Sequence, residues 1–400
     1  FFDADNDGDL DLYVASGSNE ILEGSPSLND RLYLNNGQGK FTKSPKNIPQ
    51  EGTSSSCVLP TDFDNDGDID VFVGGGVQAN NYPFAAASTL LINQGGSFEK
   101  DETVAPMLSK LGMVKAGVWA DVNADGIQDL LLAGEWMPLT LLLNQNGKLT
   151  KASPTAFEQS AGFWSAISAG DFDSDGDLDF IAGNMGLNYR YTPTVEAPLG
   201  LYAADFDENT DTDVIITYRY DGKEYPTRDR NELFEQMNFI KKKYPKFEEF
   251  ARASVQNIFT QAALDSAFQK KAFTSQSTYI ENKGDGSFAL HPLPMQAQFS
   301  TVNGIVCEDV NDDGNLDAIL TGNLYDVETQ SPRLDAGNGL VLLGNGKGNF
   351  EALSINESGF YTPGNAKSLV LLKGKRQTVI VGNNNARTQV FKLNEKRKVN

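Results

Sequence analysis

The chain has 400 residues, of which 54 are acidic and 33 are basic, and its formal net charge is −21. Hydrophobic residues make up 40% of it and 38 residues are glycine, so the composition favours a large core of short β-strands and excludes a disordered chain. The sequence contains no basic stripe for nucleic acid and no run of about 18 apolar residues that could span a membrane.

Six acidic loops of nine residues recur along the chain, each preceded by a short apolar stretch and followed by an apolar strand. They occupy residues 3–11, 62–70, 121–129, 171–179, 205–213 and 309–317. A seventh unit, residues 368–382, keeps the two strands but has lost the acids. Most units then carry a strand, a turn of the Asn-Gly or Gly-x-Gly kind and another strand, which is typical of a tight hairpin. The repeats therefore predict an all-β, seven-bladed β-propeller with four antiparallel strands per blade.

The predicted propeller extends over residues 1–400 as a single domain. Because the chain opens directly on an acidic loop, we expect a fragment that starts inside the first blade, with any targeting segment upstream. Between the fifth and sixth loops, apolar residues such as Leu233, Met237 and Ile240 recur at helical spacing. Residues 228–272 are therefore predicted to be a helical insertion in the fifth blade, with Pro245 separating two helices.

The acidic loops have the donor pattern of a calcium site. Acids at positions one, three, five and nine converge on one point, Gly at position six permits the turn, and the position-seven carbonyl completes an oxygen shell that suits Ca²⁺. An EF-hand is rejected, because its position-twelve Glu is replaced by an apolar strand residue such as Val14. Five Ca²⁺ sites are expected. A sixth, at residues 205–213, is left open because Asn209 and Thr210 replace the usual Asp and Gly.

The predicted calcium ligands, loop by loop, are Asp3, Asp5, Asp7, Asp9 and Asp11; Asp62, Asp64, Asp66, Asp68 and Asp70; Asp121, Asn123, Asp125, Ile127 and Asp129; Asp171, Asp173, Asp175, Asp177 and Asp179; Asp205, Asp207, Asn209, Asp211 and Asp213; Asp309, Asn311, Asp313, Asn315 and Asp317.

The segments that end the second strand of each unit are expected on the face opposite the acidic loops. They include residues 134–136, 183–185, 218–219 and 322–325. Trp136, Arg219 and Tyr325 in these segments predict an aromatic and basic patch that binds a protein or glycan. The alternative function is a calcium-dependent polysaccharide lyase or hydrolase, since the many carboxylates prevent spacing from isolating a catalytic pair. The only histidine, His291, is read as a surface or packing residue rather than a catalytic base.

The two cysteines, Cys57 and Cys307, each lie just before an acidic loop, so we expect buried free thiols on inner strands of non-adjacent repeats rather than a disulfide.

Stretches outside the loops add a family resemblance. Segments 30–35, 118–122, 134–138, 183–188, 230–233, 291–294 and 358–363, together with the loops, resemble the FG-GAP/VCBS repeat proteins with integrin-α-like propellers. The nearest likeness is the propeller that accompanies the ASPIC/UnbV domain in relatives of cartilage acidic protein. The resemblance implies a secreted, periplasmic or cell-surface protein that binds calcium and serves as a binding scaffold. We expect a monomeric propeller that is not an enzyme.

Overall fold

A computed structural model describes residues 1–327 and 331–393 of the chain. Within this part, β-strands form seven separate sheets, named A to G below, and the few helices are short. The predicted all-β class is therefore confirmed. No helix among the described residues is both long and apolar enough to cross a bilayer.

The first three sheets follow one another along the chain. Sheet A contains β1 (Leu12–Val14), β2 (Arg31–Leu34) and β3 (Thr42–Lys43). Sheet B contains β4 (Ser55–Thr61), β5 (Asp70–Gly75), β6 (Thr89–Asn93) and β7 (Phe98–Lys100). Sheet C contains β8 (Met113–Ala120), β9 (Asp129–Met137), β10 (Thr140–Asn144), β11 (Leu149–Lys151) and the short β12 (Gly162–Phe163). All pairings are antiparallel, as predicted from the hairpin turns.

The fourth and fifth sheets are nested. Sheet D starts with β13 (Ala166–Gly170) and β14 (Asp179–Gly183) and is completed by β19 (Thr278–Asn282) and β20 (Phe288–Pro292). Between these two halves the chain builds sheet E from β15 (Leu199–Ala204), β16 (Asp213–Tyr220), β17 (Lys223–Pro226) and β18 (Phe268–Ala272), in the order β17-β16-β15-β18. The prediction that the fifth acidic loop opens the next blade in line is therefore wrong, because that loop belongs to a sheet inserted within sheet D.

The last two sheets resume the simple order. Sheet F contains β21 (Gly304–Glu308), β22 (Asp317–Thr321), β23 (Leu340–Gly344) and β24 (Phe350–Ala352), and sheet G contains β25 (Ala366–Leu372), β26 (Thr378–Asn383) and β27 (Gln389–Lys392). Second strands such as β5, β14 and β22 are buried at every position, because sheets cover both of their faces.

The first strands of sheets B, C, D, F and G lie side by side in that order, through contacts of β4 with β8, β8 with β13, β13 with β21, and β21 with β25. Sheet E is outside this row, and its strand β18 contacts β9 and β12 of sheet C instead. Apolar clusters fill the spaces between neighbouring sheets, as Phe172, Ile181 and Leu320 do between sheets D and F.

Helices are concentrated between β17 and β18. Five of them, α2 (Arg230–Gln236), α3 (Phe239–Lys243), α4 (Phe247–Ala251), α5 (Val255–Ile258) and α6 (Gln261–Ser266), surround a small core that contains Leu233, Met237 and Ile240. Pro245 lies between α3 and α4. The two other α-helices are single turns, α1 (Ala105–Leu108) and α7 (Ile355–Ser358), and three 3₁₀ turns cover Pro26–Leu28, Thr155–Phe157 and Met295–Gln298.

Candidate calcium loops and ligand cavity

The acidic loops of sheets B to F each connect the first strand of a sheet to the second, and the loop of sheet A precedes β1. All six have the same backbone shape, with positive φ at positions four and six. Position six is Gly in five loops, for example Gly67 at φ 96°, and Thr210 in the sheet E loop at φ 76°. The tight turn is therefore kept in sheet E even where the sequence lacks the glycine, at a cost in backbone strain.

Backbone N–H groups hold one oxygen of several loop carboxylates and leave the other directed into the loop. In sheet A, Gly8 N–H donates to Asp3 Oδ2 (2.9 Å), while Asp3 Oδ1 and Asp5 Oδ1 are buried without a hydrogen-bond partner. In sheet B, Gly67 N–H donates to Asp62 Oδ2 (3.2 Å) and Asp62 Oδ1 is buried and unpaired. Such unpaired buried carboxylate oxygens are costly unless a cation is bound.

Four loops bring three carboxylates close enough to share one ion. In each set the ligand atoms lie within 4.8 Å of one another. The sets are Asp3, Asp5 and Asp11; Asp62, Asp64 and Asp66; Asp171, Asp173 and Asp179; Asp205, Asp207 and Asp213. Their all-oxygen donor chemistry, together with the unpaired oxygens in the loops of sheets A, B and E, fits a hard divalent cation such as Ca²⁺. The structure thus places the sheet E loop, for which the sequence left calcium binding open, among the well-converged sets.

The loops of sheets C and F have Asn at position three, and its amide nitrogen donates to the carboxylate at position five. The distances are 3.1 Å from Asn123 to Asp125 and 3.0 Å from Asn311 to Asp313. The amide oxygen accepts from the backbone N–H of the same position-five residue, at 3.1 Å from Asp125 and 3.0 Å from Asp313. A cation in these two loops would therefore have to replace the amide N–H as the partner of the position-five carboxylate.

The Asp at position nine is a buried anchor in every loop. In sheet B, Asp70 Oδ2 accepts from Phe63 N–H (2.9 Å) and Asp70 Oδ1 from Asn93 N–H at the end of the third strand (2.7 Å). Asp11, Asp129, Asp179 and Asp317 accept the same pair of backbone bonds, and Asp213 accepts the first of them. Apart from Asp179 Oδ2, which also accepts from the Tyr279 hydroxyl (2.7 Å), each of these oxygens retains a second lone pair, so the anchoring role can be combined with a metal contact.

Burial disfavours the charged form of five of these anchors and so raises the pKa of Asp70, Asp129, Asp179, Asp213 and Asp317. It raises the pKa of Asp70, Asp129 and Asp179 to about 6, against the opposing effect of their backbone hydrogen bonds, and other loop carboxylates raise it further. The pKa of Asp213 is raised to about 6 for the same first reason. A bound cation would stabilise the charged form of these buried carboxylates.

Neighbouring sheets are joined at their loops by an asparagine that ends the third strand. Asn93 Nδ2 donates to Ala4 O of the sheet A loop (3.0 Å), Asn144 Nδ2 to Phe63 O of the sheet B loop (2.9 Å), and Asn282 Nδ2 to Val122 O of the sheet C loop (2.9 Å). In sheet F the backbone N–H of Gly348 replaces it and donates to Phe172 O of the sheet D loop (3.1 Å). From the sequence, these asparagines are predicted only to form turns. Their recurrence just before the hairpins is the pattern from which the links between sheets could have been predicted.

In sheets B, D and F the side chain at position seven is directed to the hairpin turn of its own sheet. Asp68 Oδ2 accepts from Gly95 N–H (2.9 Å), and Asp177 and Asn315 lie against Gly284 and Gly346. Such a side chain holds the hairpin turn beside the loop. The backbone carbonyl at position seven can then serve as the predicted calcium ligand.

The structure does not assemble the predicted patch of Trp136, Arg219 and Tyr325. Trp136 is only 2% exposed, because its ring packs on Phe163 (centroids 4.9 Å apart) and its indole N–H donates to the Tyr82 hydroxyl (2.7 Å). The prediction that Trp136 contacts a partner is therefore wrong. Arg219 is exposed on sheet E, and Tyr325, half-buried between β22 and β23 of sheet F, donates its hydroxyl hydrogen to Pro363 O (2.9 Å).

A cavity of about 370 Å³, here called the first-strand cavity, lies where the first strands of sheets C, D, F and G begin. It gathers one residue from each of three segments that were predicted to share a face, namely Glu135, Met185 and Leu324. Lys115 and Lys367 also line it. The cavity lies at the opposite ends of the strands from the acidic loops, and its volume is in the range of small-molecule sites.

The remaining sequence-selected side chains lie elsewhere. His291 is stacked on Tyr279 and its Nε2 lies 2.9 Å from Glu281 Oε2, so it belongs to a surface cluster on sheet D. Cys57 and Cys307 lie on β4 and β21 as free thiols, as predicted, although both are half-buried rather than fully buried. Desolvation raises the pKa of both thiols to about 11.

Comparisons with known proteins identify the repeat. Residues 3–73 and 121–182 match the family model described as FG-GAP-like repeat. No curated protein matches the chain. Solved structures similar to it include the V. cholerae biofilm matrix protein Bap1 (10% identity, TM-score 0.34, 95% of this chain and 73% of that one). Another is the exotype rhamnogalacturonan lyase YesX (11% identity, TM-score 0.34, 95% of this chain and 69% of that one). The chain therefore contains FG-GAP-like repeats.

Proposed function

We propose that this protein is a calcium-stabilised β-propeller of the integrin-α-like kind that serves as a binding or adhesion scaffold outside the cytosol. The observation that carries the proposal is the recurrence of loops in which buried carboxylate oxygens converge without a hydrogen-bond partner. One such loop could be an ordinary turn. Carboxylates converge in four loops, and three of these, in sheets A, B and E, contain a buried oxygen without a hydrogen-bond partner among the described residues, which bound cations explain best.

The propeller is supported by the row of first strands and by the asparagine links between neighbouring loops. In the proposed arrangement sheets A, B, C, D, F and G are the blades. Sheet E, with its helices, is an appendage of sheets C and D rather than the fifth of seven blades.

The proposed site of action is the face that bears the first-strand cavity, with a protein or glycan as the partner. Calcium would fix the other ends of the same strands and so hold the cavity wall in place without contacting the ligand. The net charge of −21 disfavours nucleic acid as the partner. We further propose kinship with the propellers that accompany the ASPIC/UnbV domain, on the stretches outside the loops quoted above.

The test is a combined glycan and protein array probed in Ca²⁺ and in excess EDTA. We expect specific capture in Ca²⁺, loss of capture in EDTA and recovery when Ca²⁺ is restored. Captured glycans should stay intact. New reducing or unsaturated sugar ends would instead identify a polysaccharide-degrading enzyme, and capture that is equal in EDTA would contradict the calcium-stabilised scaffold.

A further inference from the structure

The first strands carry one equivalent residue at the ends that meet at the first-strand cavity. Ser56, Lys115, Ser165 and Asn303, in sheets B, C, D and F, each lie six residues before the first Asp of their acidic loop. In sheet G the matching residue is Lys367. The strand register shifts at Ser56, Lys115 and Lys367, so each is the extra residue of a β-bulge. Bulges redirect a side chain, here toward the meeting point of the strands.

In three sheets this residue ties its sheet to the next one in the row. The Ser56 hydroxyl donates to Val114 O of sheet C (2.6 Å) and the Ser165 hydroxyl to Val302 O beside sheet F (2.7 Å). Asn303 Nδ2 donates to Ala366 O of sheet G (2.9 Å). A short polar side chain at this position therefore has a structural role, because it donates a hydrogen bond to a backbone carbonyl of, or beside, the next sheet.

The two lysines depart from this pattern. Within residues 1–327 and 331–393, their ammonium groups form ion pairs at long distances, 3.9 Å from Lys115 to Glu135 and 3.7 Å from Lys367 to Asp326. Their side chains remain 41% and 38% exposed. Desolvation lowers the pKa of Lys367; Asp326 opposes this, while the positive charge of Lys115 adds to it. Two cations that face one cavity and repel each other are most readily stabilised by an anion between them.

The rest of the cavity wall restricts the kind of anion. Met185, Leu324 and Phe163 provide an apolar side, and Glu135 provides an acceptor that already binds the Tyr82 hydroxyl (3.0 Å). Thr301 also lines the cavity, and its buried hydroxyl has no hydrogen-bond partner within the described part of the chain. A ligand that satisfies this wall combines one carboxylate, several hydroxyls and an apolar face.

We propose that the first-strand cavity binds a uronic-acid residue of an acidic glycan, with its carboxylate between the ammonium groups of Lys115 and Lys367 and its hydroxyls toward Thr301 and Glu135. The proposal rests on the binding function proposed above and names its ligand class. Charge attraction would draw the carboxylate into a local cationic site on an otherwise acidic protein, and the apolar wall would cover the ring face.

The ligand class is tested on the unmodified protein in Ca²⁺ by calorimetric titration with methyl β-D-glucuronide, methyl β-D-glucoside and acetate. The two glycosides differ only in the carboxylate, and acetate carries that charge without the sugar. We expect the glucuronide to bind at least ten-fold more tightly than either, with affinity that falls as salt is raised. Equal affinity for the two glycosides would overturn the lysine assignment, and equal affinity for acetate would overturn the sugar assignment.

The residues are tested with Lys115→Ser combined with Lys367→Ser, because Ser is what sheets B and D carry at this position and the fold should accept it. The preference for glucuronide over glucoside should disappear, whereas the exposed Lys148→Ser, on the hairpin turn of sheet C, should leave it unchanged. Lys115→Arg with Lys367→Arg should retain it. If the serine variant does not fold, loss of the preference in the arginine variant would still contradict the proposal.

Failure here is distinguishable from failure of the proposed function. If glucuronide does not bind but the array still shows Ca²⁺-dependent capture of neutral glycans or proteins, the cavity assignment is wrong and the scaffold function stands.

Discussion

At the scale of single residues, the acidic loops divide their aspartates between two tasks. The exposed Asp66 at position five accepts a backbone hydrogen bond within its own loop, from Asp68 N–H (2.9 Å). The buried Asp70 at position nine holds the loop to the third strand through Phe63 and Asn93. Sequence spacing assigned the same role of metal ligand to both, because a pattern of acids does not reveal which oxygens the backbone occupies.

Replacing each of these two aspartates separates the tasks. Asp70→Ala leaves two buried N–H groups without acceptors and should cost about 2–4 kcal/mol of unfolding free energy even in EDTA. Asp66→Ala should weaken calcium binding but change the stability in EDTA by less than about 1 kcal/mol, because the loss of one exposed hydrogen bond from Asp68 N–H is offset by reduced repulsion among the loop carboxylates. Chemical denaturation of both variants with and without Ca²⁺ checks this. An equal loss in EDTA for both variants would show that position nine has no anchoring role.

A second residue-scale prediction concerns Thr210, a β-branched residue held at φ 76°. Thr210→Gly should stabilise the protein by ~1 kcal/mol, because glycine adopts this conformation without strain. It should also tighten calcium binding by the sheet E loop, which the sequence ranks as the weakest of the six. Denaturant melts and a calcium titration measure both effects. A less stable glycine variant would mean that the threonine methyl or hydroxyl makes a contact that outweighs the strain.

At the scale of elements, the hairpins between the third and fourth strands of sheets B, C, D and F each contact the acidic loop of a neighbouring sheet, namely A, B, C and D respectively. Asn144 links sheet C to the loop of sheet B, and Gly147 of the same turn lies against Asp64. A loop ordered by metal is therefore a contact surface for the next sheet. We therefore expect that destabilising one acidic loop also destabilises the neighbouring sheet, through these links as well as through the packing of the strands.

Asn144→Ala tests this link. The variant loses the bond to Phe63 O and should be destabilised by about 1–2 kcal/mol. It should also weaken calcium binding in the sheet B loop, whose own ligands are untouched. Asn35→Ala is the matched control, because Asn35 Nδ2 donates to Leu10 O of its own loop (3.1 Å). A calcium affinity of the sheet B loop that is unchanged in Asn144→Ala would contradict the coupling.

The repeated elements were predictable from the sequence, but their order was not. Alternating apolar strands, Asn-Gly turns and acidic loops predict the antiparallel sheets correctly. The irregular spacing of the loops that begin at residues 171, 205 and 309 predicts one short blade followed by one with a helical insertion. The structure closes sheet D with residues 278–292 instead, which only the long-range pairing of β14 with β19 reveals. Likewise, Trp136 has the composition of a binding residue, and only the packing of sheet E against sheet C buries it.

For the whole molecule, which has a net charge of −21, many carboxylates lie in the acidic loops, where four anchors, Asp70, Asp129, Asp179 and Asp213, have a pKa raised to about 6. A carboxyl whose pKa is higher when folded than unfolded favours the fold while it is protonated. Stability of the calcium-free protein from this source is therefore lost as pH rises from about 4 through about 6. Bound calcium has the opposite requirement, because it needs ionised carboxylates.

The difference in melting temperature between the calcium-loaded and EDTA-treated protein should therefore grow as pH rises from about 4 to about 7. Comparing the two forms at each pH cancels titrations that calcium does not affect. A difference that is constant across this range would mean that the anchors and the metal are not linked.

The central claim is that bound calcium stabilises the fold, and the most direct test is a thermal melt in Ca²⁺, in excess EDTA and after Ca²⁺ or Mg²⁺ is restored. When the free Ca²⁺ concentration is 100 times the Kd of a site, binding at that site stabilises the folded protein by ~2.7 kcal/mol. Several sites together should therefore raise the melting temperature by roughly 10 °C or more. We predict that EDTA removes this increase, that Ca²⁺ restores it, and that Mg²⁺ restores much less of it. An unchanged melting temperature in EDTA would contradict the account.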